Sequence, residues 1–158
     1  MDTSVIIIGV VLLLIVVIPV YFVVRANKTD KNKINALIAQ YSQNNRYRFQ
    51  LVASQNHKAL AIDPQNRGLL FMDFNLKEPY VAFRDLADTK GCAVATDNPQ
   101  GLTNIVKKVE WIFFSKNGLS QGNDILFHDK TKPYIVPVYG YEEQKLAEQW
   151  QELIHRYL

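Results

Sequence analysis

The 158-residue chain reads as a single N-terminal transmembrane helix followed by a mainly β (α+β) domain that a C-terminal amphipathic helix closes. Three observations predict this. The run Val5–Val24 holds twenty residues without a charge. Seven later segments alternate apolar and polar positions, with turn chemistry between them. The last eighteen residues, "YEEQKLAEQWQELIHRYL", keep an apolar period of about 3.6 without Gly or Pro.

The membrane helix follows from length. At about 1.5 Å of rise per residue, twenty residues span about 30 Å, the hydrocarbon thickness of a bilayer. A buried core helix carries polar residues on some face, and this run has none. A cleaved signal peptide fits poorly: only Met1, Asp2, Thr3 and Ser4 precede the run, so there is no basic leader. The apolar stretch also exceeds the usual length of about 7–15 residues, and no small-x-small cleavage site follows. No Cys near its end could take a lipid. The expectation is therefore a retained anchor over 5–24, with 1–4 as a short extracytoplasmic N-terminus. Pro19 bends it near the exit, and Tyr21 and Phe22 lie at the headgroup level. Gly9 has no partner at small-xxx-small spacing, so no dimerisation motif is present.

Charge sets the orientation. No Lys or Arg precedes the run, whereas Arg25, Lys28, Lys31 and Lys33 follow it against a single acid, Asp30. The positive-inside rule places the C-terminal domain in the cytoplasm, on a single-pass protein of the cell (inner) membrane. The same four residues are the expected contacts to anionic lipid, each contributing about 1 kcal/mol near such a surface. Asn27-Lys28-Thr29 has the form of a glycosylation sequon, but on this reading it lies on the wrong side and too near the bilayer. Cys92 is the sole cysteine, so no intramolecular disulfide forms, in keeping with a reducing compartment.

Residues 25–45 read as a basic tether and a short helix. Thr29 or Asp30 can cap a helix beginning at Lys31, and Ser42-Gln43-Asn44-Asn45 ends it. Ile34, Leu37, Ile38 and Tyr41 fall at i, i+3, i+4 and i+7, a single apolar stripe. That stripe needs a cover: the following domain, a partner helix or the bilayer surface. It is the candidate partner surface of the chain.

From residue 46 to 158 the pattern is that of the domain. Strands are expected near Tyr47–Ser54, Lys58–Asp63, Leu69–Phe74, Tyr80–Leu86, Gly91–Thr96, Ile105–Ser115 and Asn123–His128. Turn residues separate them, at Gln55-Asn56, Asp63 to Asn66, Asn75 to Pro79, Asn98 to Gly101 and Asn117-Gly118. In the sixth strand Val109, Trp111 and Phe113 point one way and Glu110, Ile112 and Phe114 the other. Tyr134 to Tyr139 is a further extended piece, broken by Pro137. In the closing helix Leu146, Trp150, Leu153 and Tyr157 share a face with Ile154 beside them, and Glu142 and Glu143 suit the N-terminal dipole.

Several stretches resemble membrane-anchored or cytoplasmic bacterial pleckstrin-homology-like (PH-like) domains. "ALAIDPQNRGLLFMDF" is similar to their second and third strands joined by a D-x-x-x-R/K turn, "YVAFRDL" to the next strand, and "AEQWQELIHRYL" to their closing helix. The resemblance covers about residues 46–158. It implies a seven-stranded antiparallel open barrel or sandwich, plugged at one end by Trp150 and Leu153.

Chemistry is harder to find. His57, His128 and His155 are far apart and form no H-x-x-x-H or C-x-x-C pattern, so no metal or cofactor is expected. Cys92 reads as a small buried residue, and Asp63, Asp73 and Asp85 as strand-end acids. No nucleophile elbow, phosphate loop or dinucleotide fingerprint occurs, so no catalytic residues and no small-molecule substrate are expected. Arg46, Arg48, His57 and Lys58 at the first hairpin are too sparse a cluster for inositol phosphates. Residues 44–158 carry a net charge of +1, while residues 25–33 carry +3. The basic character thus belongs to the tether. Lys107 and Lys108 alone make no nucleic-acid face.

Two functions fit. One is a non-enzymatic, membrane-tethered module that holds an unidentified protein or peptide partner, for example by adding a strand to a sheet edge. The other is a structural accessory subunit of a larger membrane complex, with the transmembrane helix as its main contact.

Overall fold

The computed structural model describes residues 17, 31–42, 46–76, 78–97, 106–116, 122, 124–129 and 140–158. The expected anchor lies outside these except for Val17, which is helical. Arg25, Lys28, the Thr29/Asp30 cap and the Tyr134–Tyr139 piece also lie outside them. Among the described residues no helix is long and apolar enough to cross a membrane.

Two compact units divide the chain, Met1–Ala39 and Gln40–Leu158. Residues 31–41 are helical (α1), and their exposure follows the apolar stripe. Ile34 is buried and Leu37, Ile38 and Tyr41 are half-buried, while the residues between them are exposed.

The second unit is α+β. Its strands are β1 (Gln50–Gln55), β2 (Lys58–Asp63), β3 (Gly68–Asp73), β4 (Tyr80–Asp85), β5 (Thr89–Asp97), β6 (Lys108–Ser115) and β7 (Ile125–Asp129), followed by helix α2 (Gly140–His155). Every strand pairing is antiparallel, in two sheets ordered β1-β2-β3-β4 and β5-β6-β7. This is the predicted α+β character with seven strands and a closing helix.

Local chemistry explains the hairpins. Asn56 and His57 both adopt positive φ, 52° and 56°, which is the two-residue turn whose twist suits a hairpin. Between β2 and β3 the Asp63 carboxylate accepts from the backbone N–H of Gln65 (2.8 Å) and Asn66 (3.1 Å) and from Asn66 Nδ2 (2.8 Å). It also accepts from the Arg48 N–H at 2.7 Å. Arg67 then turns the chain at φ 52°. Thus the D-x-x-x-R spacing is a side-chain cap on the turn followed by a left-handed residue. Burial alone would raise the Asp63 pKa, but its bonds from Arg48, Asn66 and Gln65 outweigh this and hold it below the ordinary carboxylate value.

The first strand begins later than its sequence suggests. Tyr47 and Phe49 are buried but precede β1; their rings stack at 5.6 Å, and Tyr47 meets Phe83 edge-on at 5.0 Å. This aromatic arm crosses Gly68, where an added Cβ would lie 2.6 Å from Tyr47 Cδ1. Strands β2 and β3 are buried at every position. Leu60, Ile62, Leu69 and Phe71 join the core between the sheets, while Ala59, Ala61, Leu70 and Met72 are equally sealed without belonging to it. A sheet covered on both faces gives near-continuous apolar runs rather than strict alternation, which accounts for "ALAI" and "LLFM".

In the other sheet β6 does alternate. Val109, Trp111 and Phe113 are fully buried, and Glu110, Ile112 and Phe114 are half-buried. The core centres on four rings: Phe71, Trp111, Phe127 and Trp150, with centroids 4.9–6.4 Å apart. Helix α2 brings Leu146, Ala147, Trp150 and Ile154 to it, and Ala147 O accepts the Trp111 indole N–H at 3.1 Å. Leu153 and Tyr157, expected on the same face, are half-buried and pack against this core. Gly140 starts the helix where a Cβ would come within 2.7 Å of Val106 O, so only glycine allows this approach.

Candidate functional site

Among the described residues β5 is the longest strand and forms one edge of its sheet. In an antiparallel pair, residues opposite each other alternately bond to the neighbour and face away from it. Cys92, opposite Phe113, faces away, because its backbone bonds to helix α2. Gln151 Nε2 donates to Cys92 O at 2.9 Å. His155 Nε2 lies 2.9 Å from the same oxygen and 3.3 Å from Cys92 N. Two side chains one helical turn apart thus occupy the backbone groups that a neighbouring strand would use. Two residues on, Val94 has the same outward register. Beyond it the strand ends in Thr96 and Asp97, both exposed.

The Cys92 thiol itself is not poised for chemistry. Burial pushes its pKa up to about 12, with Arg84 opposing the shift. Arg84 is buried too, with its guanidinium 4.5 Å above the centre of the Phe113 ring.

A second cluster sits at the start of α2. Lys58, which opens β2, is 3% exposed and places Nζ 2.8 Å from Glu143 Oε2 and 3.9 Å from Asp73 Oδ2. Asn56 Nδ2 donates to the other Glu143 oxygen at 3.3 Å, and the Phe127 ring lies 5.3 Å from Nζ. His128 on β7 is buried beside them. Burial pushes its pKa below the ordinary imidazole value, opposed by Glu143, Asp129 and Asp73 and assisted by Lys58. Among the described residues no three His, Cys, Asp or Glu side chains converge as a metal site.

The predicted site residues fall as follows. Lys31 and Lys33 are exposed on α1, and Ile34, Leu37, Ile38 and Tyr41 form its less exposed face. Of the basic residues weighed at the first hairpin, Arg46 and Arg48 are exposed on one side of the chain, but Lys58 is turned inward onto Glu143. The Gln151/His155 contact was not visible beforehand. The i, i+4 spacing puts both on one helical face, yet nothing in the sequence says that the Cys92 backbone faces them.

The fold and these sites define an α+β protein of two antiparallel sheets closed by a helix, with one sheet edge served by that helix. Compared with protein-family models, curated proteins and solved structures, the chain has no match among any of the three.

Proposed function

We propose that the chain is a non-enzymatic, single-pass membrane protein whose PH-like domain binds an extended segment of a partner protein at the cytoplasmic face of the inner membrane. The observation that carries this reading is the edge of β5. Its backbone at Cys92 is bonded by side chains of α2, and the strand continues past them to exposed residues. A sheet edge of this kind can take an extended peptide through main-chain hydrogen bonds, with alternate side chains supplying specificity. The uncharged run 5–24 and the basic residues Arg25, Lys28, Lys31 and Lys33 support the anchor and its orientation.

The alternative, an accessory subunit held chiefly through its transmembrane helix, rests on the same run. Photo-crosslinking of the full chain in membranes of its host separates the two. With a photoreactive residue placed singly at Val94, Ala95, Thr96 or a position within 5–24, the first reading expects adducts to one protein from the β5 positions. Adducts confined to the 5–24 positions would show the accessory subunit instead.

A further inference from the structure

The edge of β5 is not uniform along its length. Cys92, Val94 and Thr96 share the outward register, since the irregularity in the β5–β6 pairing lies before them, between Thr89 and Gly91. At Cys92 both outward groups are taken. With its proton on Nδ1, the His155 ring accepts from the Cys92 N–H through Nε2 at 3.3 Å, and Gln151 Nε2 donates to Cys92 O at 2.9 Å. At Val94 and Thr96, among the described residues, no group bonds the outward N–H or C=O.

The block at Cys92 is held by the core. A strand added to a sheet lies about 4.7–4.9 Å from its neighbour. The Gln151 and His155 side chains already stand within 3.3 Å of the Cys92 backbone, in the space that such a strand would fill. Rotating them away does not remove the helix behind them. Ala147, Trp150 and Ile154 seat α2 with at most 3% of each exposed, and Ala147 O also takes the Trp111 indole N–H. Past Val94 the strand runs on to Thr96 and Asp97, both exposed.

We propose, on the reading of β5 as the binding edge, that Gln151, His155 and the helix behind them form a stop that limits the bound segment. The segment pairs with Val94 and Thr96 and ends or turns away before Cys92, whichever direction it runs. A long strand lying along the whole of β5 is excluded. The residue opposite Val94 shares the face on which Val94 packs against the core, and it is apolar. Beside Thr96 and Asp97 the segment meets exposed polar side chains, and it is polar there. The partner is thus a short extended segment, apolar at the end that reaches α2 and polar at the other.

Two measurements on the full chain test this. Amide hydrogen exchange in detergent micelles reads the edge without a partner. The Cys92 N–H should exchange at least tenfold more slowly than those of Val94 and Thr96, and the double variant Gln151→Ala/His155→Ala should remove the difference. Fast exchange at all three, or Cys92 protection that survives the double variant, overturns the stop and leaves the binding edge standing. Equal protection at all three would show a covered edge and overturn both. Photo-crosslinking in membranes of the host then uses p-benzoylphenylalanine, placed singly at Lys90 or Thr96, both exposed. Adducts at Thr96, with at least tenfold fewer at Lys90, are expected. Comparable adducts at both, mapped to one continuous partner segment, would mean a strand that passes Cys92 and would overturn the stop alone. Adducts at Lys90 only, or at neither position, overturn the binding edge and the stop with it.

Discussion

Lys58 and Glu143, 85 residues apart, meet at 2.8 Å with side chains only 4% and 8% exposed. This contact ties the first turn of α2 to the start of β2, and Asn56 in the β1–β2 turn reaches the same carboxylate. A buried pair of this kind adds little net stability relative to apolar replacements, but removing one partner strands the other charge. Lys58→Met and Glu143→Leu should each cost about 3–5 kcal/mol, and the double variant clearly less than their sum. Denaturant unfolding of the four proteins checks this. Additivity within about 0.5 kcal/mol would show that the two groups do not depend on each other.

Gly68 lies under the Tyr47–Phe49 arm. With 2.6 Å between its would-be Cβ and Tyr47 Cδ1, Gly68→Ala must push the ring from a site where it is 4% exposed. The expected loss is about 1–3 kcal/mol, the usual range for overpacking. In a Tyr47→Ala background the same substitution should cost much less, because nothing remains to be displaced. Thermal unfolding of the pair of backgrounds decides it.

Two groups should contribute to the acid limb of stability, in separate windows. The pKa of His128 is lower in the folded chain than its ordinary value of 6.5, chiefly through burial. Its contribution is complete above about pH 6.5 and is lost as pH falls from there towards the folded value, where the unfolded chain binds the proton more tightly. Asp63 is lowered from 3.8, so its contribution is present above about pH 4 and disappears as pH drops through its folded value. Stability measured against pH should show a first decline beginning near 6.5 that His128→Gln removes, and a second below 4 that Asp63→Asn removes. A His128→Gln profile with the first decline intact would assign that decline to another group.

Cys92 should resist alkylation. With its thiol pushed up to about 12 and its side chain buried, almost no thiolate exists at pH 8. Iodoacetamide should label the native chain slowly and the unfolded chain rapidly, as mass spectrometry of timed samples would show. Rapid labelling of the native chain would mean that β5 opens readily at this position.

Much of the fold was legible because local rules and tertiary environment agreed. Gln55-Asn56 marked a tight turn, one residue ahead of the positive-φ pair Asn56-His57, Asp63 and Arg67 bracketed another, and the period of "AEQWQELIHRYL" marked a helix whose inner face includes Trp150 and Ile154. The starts of β1 and β6 were less legible. Tyr47, Phe49 and Val106 are apolar and buried, as strand residues are, but their burial comes from an arm over the sheet and from contact beside Gly140. Apolar pattern records that a residue is covered, not by what.

The sequence by itself determined the seven described strands and the closing helix, the stripe on residues 31–41 and the concentration of positive charge before the domain, since these depend only on residue order and period. Tertiary structure alone decided that the described strands divide four and three, that Lys58 turns inward to Glu143, and that Gln151 and His155 reach the Cys92 backbone. Those contacts join residues 59 to 85 positions apart. Each depends on how α2 seats against both sheets, and short-range spacing carries no information about that.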